Sequence, residues 1–130
     1  DCGPTASDEA AVRSLLTKIT KAWQRGDAKE FASYYTSNGD LVDFAGNHAR
    51  GRMEIVKLLQ PLFDGVLENT RVAARIVDLR FLSPTVAIFH AHGRIVPTGG
   101  DSVQTFVATK GARGWLIASF QNTRVQKNPS

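Results

Sequence analysis

The chain has one cysteine, Cys2, among 130 residues. A lone cysteine near the terminus forms no internal disulfide, so the fold is held by its core. No apolar run approaches the length that crosses a bilayer, and no signal-peptide-like apolar segment is visible, although the chain does not begin with Met. The Asp1–Cys2 start would suit the remnant of a lipid-modified export signal, but the apolar segment that such a signal needs is missing. A cytoplasmic location is the expectation. Blocks of like charge are absent, and the cations are spread from Arg13 to Lys127 rather than clustered with aromatics. A net charge of +4 therefore reads as a mildly basic surface, with no nucleic-acid partner and no membrane partner expected. No Gly-rich loop follows a strand and opens a helix in the form that cradles phosphates, and no Ser or Cys sits in a nucleophile elbow. Nucleotide cofactors and covalent acyl chemistry are disfavoured, and no cofactor is expected.

Hydrophobic residues make up 42% of the chain, and its length suits one domain over residues 1–130, with 1–6 and 126–130 as flexible ends. Ser7 is the expected N-cap of a first helix, with Asp8 and Glu9 in its first turn. Val12, Leu15, Leu16, Ile19 and Trp23 give that helix one apolar stripe, and Gly26 ends it. Asp27 with Glu30 starts a short second helix whose apolar side is Phe31, Tyr34 and Tyr35. "TSNGD" reads as a turn and "LVDFA" as a short strand. Gly51 opens a third helix, buried through Ile55, Val56, Leu58, Leu59, Leu62 and Phe63, with Pro61 kinking or shortening its end.

From Asn69 the period becomes alternating. Four strand-like stretches follow, joined by "SP", "PTGGD" and "GARG", which predicts an antiparallel meander. The expected class is α+β, with three N-terminal helices packed on a curved antiparallel sheet. A twisted sheet covered by a few helices closes into a cone, and the mouth of a cone suits a ligand.

Several local patterns carry a resemblance: "AWQRGDAKEFASYYTSNGDLVDFAG", "GRMEIVKLL" and "GWLIASFQNTRV". In this order and spacing the chain resembles the cystatin-like, nuclear-transport-factor-2-like superfamily over roughly residues 7 to 125. Within it, the "GR" helix start and the "FQNT" ending look most like the SnoaL-like SgcJ/EcaC group, small proteins associated with enediyne and other polyketide pathways. Polyketide cyclases and steroid isomerases share that fold. The resemblance implies a cavity for an apolar polyketide or polyene-like molecule, a homodimer through the open sheet face, and a general base at Asp43.

The residues themselves leave alternatives open. Asp43 lies between Val42 and Phe44, with His48, Arg50 and Arg52 close by in sequence. It either faces a pocket as a base, with His48, His90, His92 or a Tyr orienting or protonating, or pairs with Arg50 or Arg52. Asp78 is the one strand acid in the second half of the chain that an isomerase-like acid pair would need, and Arg75 and Arg80 are expected to keep it charged. His90 and His92 share a strand face with Arg94, as pocket donors or as a solvated face. Two His at this spacing with no further Cys predict no metal site. Phe120 and Asn122 alternate at the end of the last strand, as a pocket wall or a strand tie, and Tyr34 or Tyr35 offers a hydroxyl. Two functions stay open: a cofactor-independent isomerase or cyclase, or a non-catalytic dimeric binding and assembly module.

Overall fold

The computed structural model describes residues 3–97 and 99–126. Cys2 and Lys127 lie outside the described residues. Helix α1 spans Ala6–Gln24, α2 Ala28–Ser33 and α3 Gly51–Phe63. The strands are β1 (Tyr35–Val42), β2 (His48–Arg50), β3 (Arg71–Ser83), β4 (Val86–Val96), β5 (Asp101–Gly111) and β6 (Gly114–Arg124). They form one six-stranded sheet in the order β2-β1-β6-β5-β4-β3.

The meander β3 to β6 is antiparallel throughout, but β1 runs parallel to β6. The sheet is therefore mixed, not purely antiparallel as the hairpin turns suggest. Turn chemistry reports only the strands it joins, and β1 meets β6 across most of the chain. "TSNGD", read as a turn, lies inside β1, where the register shifts between Tyr35 and Asp40. An irregular strand with Ser, Asn and Gly in it looks like a turn by composition. The same strand ends at Val42, so Asp43 follows it rather than sitting within it. The third helix does not complete an N-terminal trio, since β1 and β2 precede it.

Thr5, not Ser7, caps α1. Its hydroxyl accepts the Asp8 N–H at 3.0 Å, and the Asp8 carboxylate accepts the Thr5 N–H at 3.0 Å. This capping box outcompetes a cap two residues later because it satisfies donors at both positions. Gly26 follows the C-cap Arg25 with φ +68, the left-handed position that ends a helix and favours glycine. Asp27 caps α2, its carboxylate accepting the Glu30 N–H at 2.9 Å. Helix α3 runs two residues past Pro61. The Gln60 side chain ties it to the α1–α2 corner, donating to the Gly26 carbonyl and accepting the Ala28 N–H, both at 3.1 Å.

The core lies between the helices and the inner face of the sheet. Val12, Leu15 and Ile19 of α1 and Ile55, Leu59 and Phe63 of α3 are buried there. Phe89, Phe106 and Phe120 are register partners across β4, β5 and β6, with successive ring centroids 4.6 Å apart. Such stacking adds about 1 kcal/mol per pair beyond burial. Register shifts in β3 and between Val107 and Ala108 bend the sheet around this ladder.

Candidate functional site: an apolar pocket under the sheet

A pocket of about 540 Å³ opens between α1, α3 and the inner face of the sheet. Trp23, Leu59, Leu62 and Phe120 supply apolar wall, and Asp43, Asn122 and Arg124 stand at polar positions around it. Helical spacing puts Trp23 at the end of α1's buried stripe. Its indole N–H donates to Thr70 Oγ1 at 2.9 Å, and that hydroxyl donates to the Leu67 carbonyl at 2.6 Å. The Trp23 ring meets Phe63 at 5.2 Å, edge to face, so the indole is fixed on two sides.

Asp43 occupies the loop between β1 and β2. Its Oδ1 accepts the backbone N–H groups of Ala45 and Asn47, each at 2.9 Å, and its Oδ2 accepts Asn47 Nδ2 at 3.0 Å. The side chain thus folds its own loop, as aspartates commonly do in turns. Gly46, at φ +89, supplies the left-handed residue that brings the chain back. Neither expected arginine pairs with Asp43. The Arg52 guanidinium instead donates to the Tyr35 carbonyl at 2.9 and 2.7 Å, and the Arg50 N–H donates to Glu54 Oε1 at 2.9 Å. Above the loop, the Arg124 guanidinium lies 4.1 Å from the centroid of the Phe44 ring.

The structure brings Asp43, Phe120 and Asn122 to one pocket and places the histidines elsewhere. His48 is paired with Val42, on the face opposite to buried Leu41 and Ala49, and its Nε2 lies 2.7 Å from Asp40 Oδ2. His90 lies on the outer face of β4, between the inward residues Phe89 and Ala91, with Nδ1 2.7 Å from Asp78 Oδ1. His92 is exposed on the same outer face, and the Arg94 side chain pairs there with Asp101 at 3.0 Å. No histidine therefore orients or protonates beside Asp43. Alternation had put His90, His92 and Arg94 on one face, and the bulky inward Phe89 makes it the outer one. Nor are the arginines the main influence on Asp78. The hydrogen bond from His90 does most to hold that carboxyl below its usual range, and Arg80 contributes least.

Tyr34 stands at the C-cap of α2, outside the pocket, and donates its hydroxyl to Glu30 Oε2 at 2.8 Å. That bond and partial burial push its own ionisation up. Tyr35 is fully buried, and burial pushes its phenol well above the ordinary range. Among the described residues, no three His, Cys, Asp or Glu side chains converge as a metal site would require. No helix of the described residues is long and apolar enough to cross a membrane.

Two residues of the site escape sequence reasoning. Gln104, only 6% exposed, reaches the inner end of the pocket from β5. In the sequence it is one polar residue in an alternating strand, which reads as outward. Arg124 reads as a surface cation, and its place at the mouth depends on the loop that carries Phe44.

A model of the SnoaL-like domain matches residues 12–122 of this chain. The chain belongs to the SnoaL-like family. Among solved structures, a cystatin-like-fold domain of unknown function from Nostoc punctiforme is 32% identical, covers 95% of this chain and 80% of its own, and superposes with a TM-score of 0.87. A ketosteroid isomerase-like protein from Erwinia carotovora atroseptica is 17% identical over 95% of this SnoaL-like chain and 100% of its own, with a TM-score of 0.80. An NTF2-like protein with a cystatin-like fold from Novosphingobium aromaticivorans is 16% identical over 94% and 84%, with a TM-score of 0.81. The last two show the shared fold alone. No functionally curated protein matches the sequence.

Proposed function

We propose that this SnoaL-like protein binds an elongated apolar molecule of polyketide or polyene type in the pocket, and that Asp43 acts there as a cofactor-free general base for isomerisation or cyclisation. One observation carries the reading: a carboxylate on the wall of an otherwise largely apolar 540 Å³ pocket. A carboxylate has about four acceptor positions. Three are taken by Ala45 and Asn47, which leaves one, on Oδ2, to receive a proton from a ligand. The loop bonds also hold the base in place before the ligand arrives, which is the positioning that proton transfer requires. The natural-product setting, enediyne pathways included, is supported by the "GRMEIVKLL" and "FQNT" patterns.

The test uses 2-tetralone, an apolar bicyclic ketone with acidic C–H bonds beside its carbonyl. The protein is expected to bind it and to speed exchange of those protons for deuterium, followed by NMR. Asp43→Asn keeps the acceptor oxygen for the loop N–H groups and should slow exchange at least about 100-fold while binding and melting temperature hold. Equal exchange by the variant removes the base, and absence of binding removes the pocket reading.

A second reading, a dimeric binding and assembly module, is favoured by the outer face of the sheet. There an open groove of about 680 Å³ runs between Arg75, His92, Arg94 and Val103. Strand β3 also leaves Val77 and Leu82 exposed, at 38% and 59%. Pairing of two copies through this face predicts a dimer in sedimentation velocity that Val103→Arg converts to monomer. A monomeric wild type refutes the pairing.

A further inference from the structure

At the inner end of the pocket lies a space of about 30 Å³ whose polar border is Thr20, Ser102, two carboxamides, Gln104 and Asn122, and Arg94, whose guanidinium is engaged by Asp101. It shares Trp23, Phe31, Ile95, Phe120 and Asn122 with the larger pocket, so the two adjoin. Gln104 and Asn122 are direct register partners on β5 and β6. Gln104 Nε2 donates to Ser102 Oγ at 3.4 Å, which directs its oxygen to the other side. Gln104 Oε1 and Asn122 Oδ1 are both buried and receive no hydrogen bond from any described residue. The backbone makes room for this amide: a Cβ at Gly93 would stand 3.1 Å from Gln104 Nε2.

Two buried acceptors without donors are costly in an apolar wall, and Leu or Met would fill the same volume without that cost. We infer that Gln104 and Asn122 form an acceptor pair that receives the hydroxyl of a ligand whose apolar body fills the larger pocket. The inference rests on the pocket being a ligand site. A space of about 30 Å³ admits a group the size of a hydroxyl. The two unfilled acceptors call for a donor, which neither a carboxylate nor a ketone brings. The ligand class is therefore an apolar alcohol, phenol or enol, entered hydroxyl first, with any ketone left in the wider part of the pocket that Asp43 lines.

Calorimetric titration with 2-naphthol and with 2-methoxynaphthalene, which lacks the donor, tests this. The wild type should bind the naphthol about tenfold more tightly, the effect of one hydroxyl proton shared between the two buried acceptors. Gln104→Met and Asn122→Leu, made separately so that a folding failure in one leaves the other, should bring the ratio within about twofold, chiefly by weakening the naphthol. Equal wild-type affinities would overturn the acceptor pair while leaving the pocket a ligand site. So would a tenfold ratio that survives in both variants. If neither probe binds any of the proteins, the pocket reading itself fails.

Discussion

Trp115 and Asn122 stand near opposite ends of β6, and an aspartate organises each end. At the Trp115 end, Asp8 accepts the Trp115 indole N–H at 3.0 Å, the Lys110 ammonium at 2.9 Å, and both the N–H and the hydroxyl of Thr5. At the Asn122 end, Asp43 accepts only from residues within four positions of itself. The first carboxylate is buried and saturated, and it joins the start of α1 to strands more than a hundred residues away. The second is half-buried, keeps an acceptor position, and shapes a loop at a pocket mouth. One residue type thus closes the fold at one end and leaves an unfilled hydrogen-bond acceptor position at the other. What separates the roles is how many donors arrive, and from how far along the chain.

The largest effect expected from this contrast is on stability. Asp8→Asn removes the charge from a buried position that four groups of three residues donate to, and it turns one acceptor into a donor facing either Trp115 and Lys110 or Thr5. Its melting temperature should fall further than that of Thr5→Ala, which loses one cap at about 1 kcal/mol. Asp43→Asn should fall less than either. The acid limb sharpens the distinction. The Thr5 backbone N–H, then Trp115 and Lys110, hold the Asp8 carboxyl well below its usual range. As pH falls past the ordinary aspartate value of about 3.9, the unfolded chain takes up the proton first. The stabilisation is therefore full above about pH 5 and lost progressively below it. Hydrogen bonds from Arg25 and His90 lower Glu30 and Asp78 in the same direction, so the informative quantity is the difference between wild type and Asp8→Asn. Melting curves from pH 7 to 3 should converge as the pH drops. Parallel curves would show that Asp8 contributes no linkage.

The same contrast explains what could be read from the chain. The three helices, the four long strands and the turns among them follow from local periodicity and capping, and the Asp27 cap is one example. Asp43 as a pocket residue rests on the short "LVDFAG" pattern, whose neighbours are also its structural partners. The parallel pairing of β1 with β6 is not local, and neither is the Asp8–Trp115 bond. Asp8 reads equally well as a charge that complements a helix dipole, which it also is. The histidines show the limit from the other side. Alternation groups His90 with His92 on one face, but only the packing of Phe89 against Phe106 decides that this face turns away from the core. Gln104 is the sharpest case. A polar residue in an alternating strand is read as solvated, and only the fold shows that it is buried with an acceptor unused.

The smallest expected effect belongs to the pocket end. Arg124 lies over the ring of Phe44, which belongs to the loop that Asp43 holds and is 47% exposed. A cation over an exposed ring contributes about 0.5–1 kcal/mol. Arg124→Ala should therefore leave the melting temperature nearly unchanged, unlike any change at Asp8. Its expected consequence is kinetic: with the guanidinium gone, Phe44 loses its cation contact with β6, and a bound probe should leave sooner. Stopped-flow release of 2-naphthol should speed up by roughly three- to fivefold, the kinetic equivalent of that contact, while the association rate changes less. Arg124→Lys restores a cation but not a planar group that stacks, so it should recover part of the retention. If release is as slow in Arg124→Ala as in wild type, the stacked pair is decoration on the rim, and the loop is held by Asp43 and Asn47 alone.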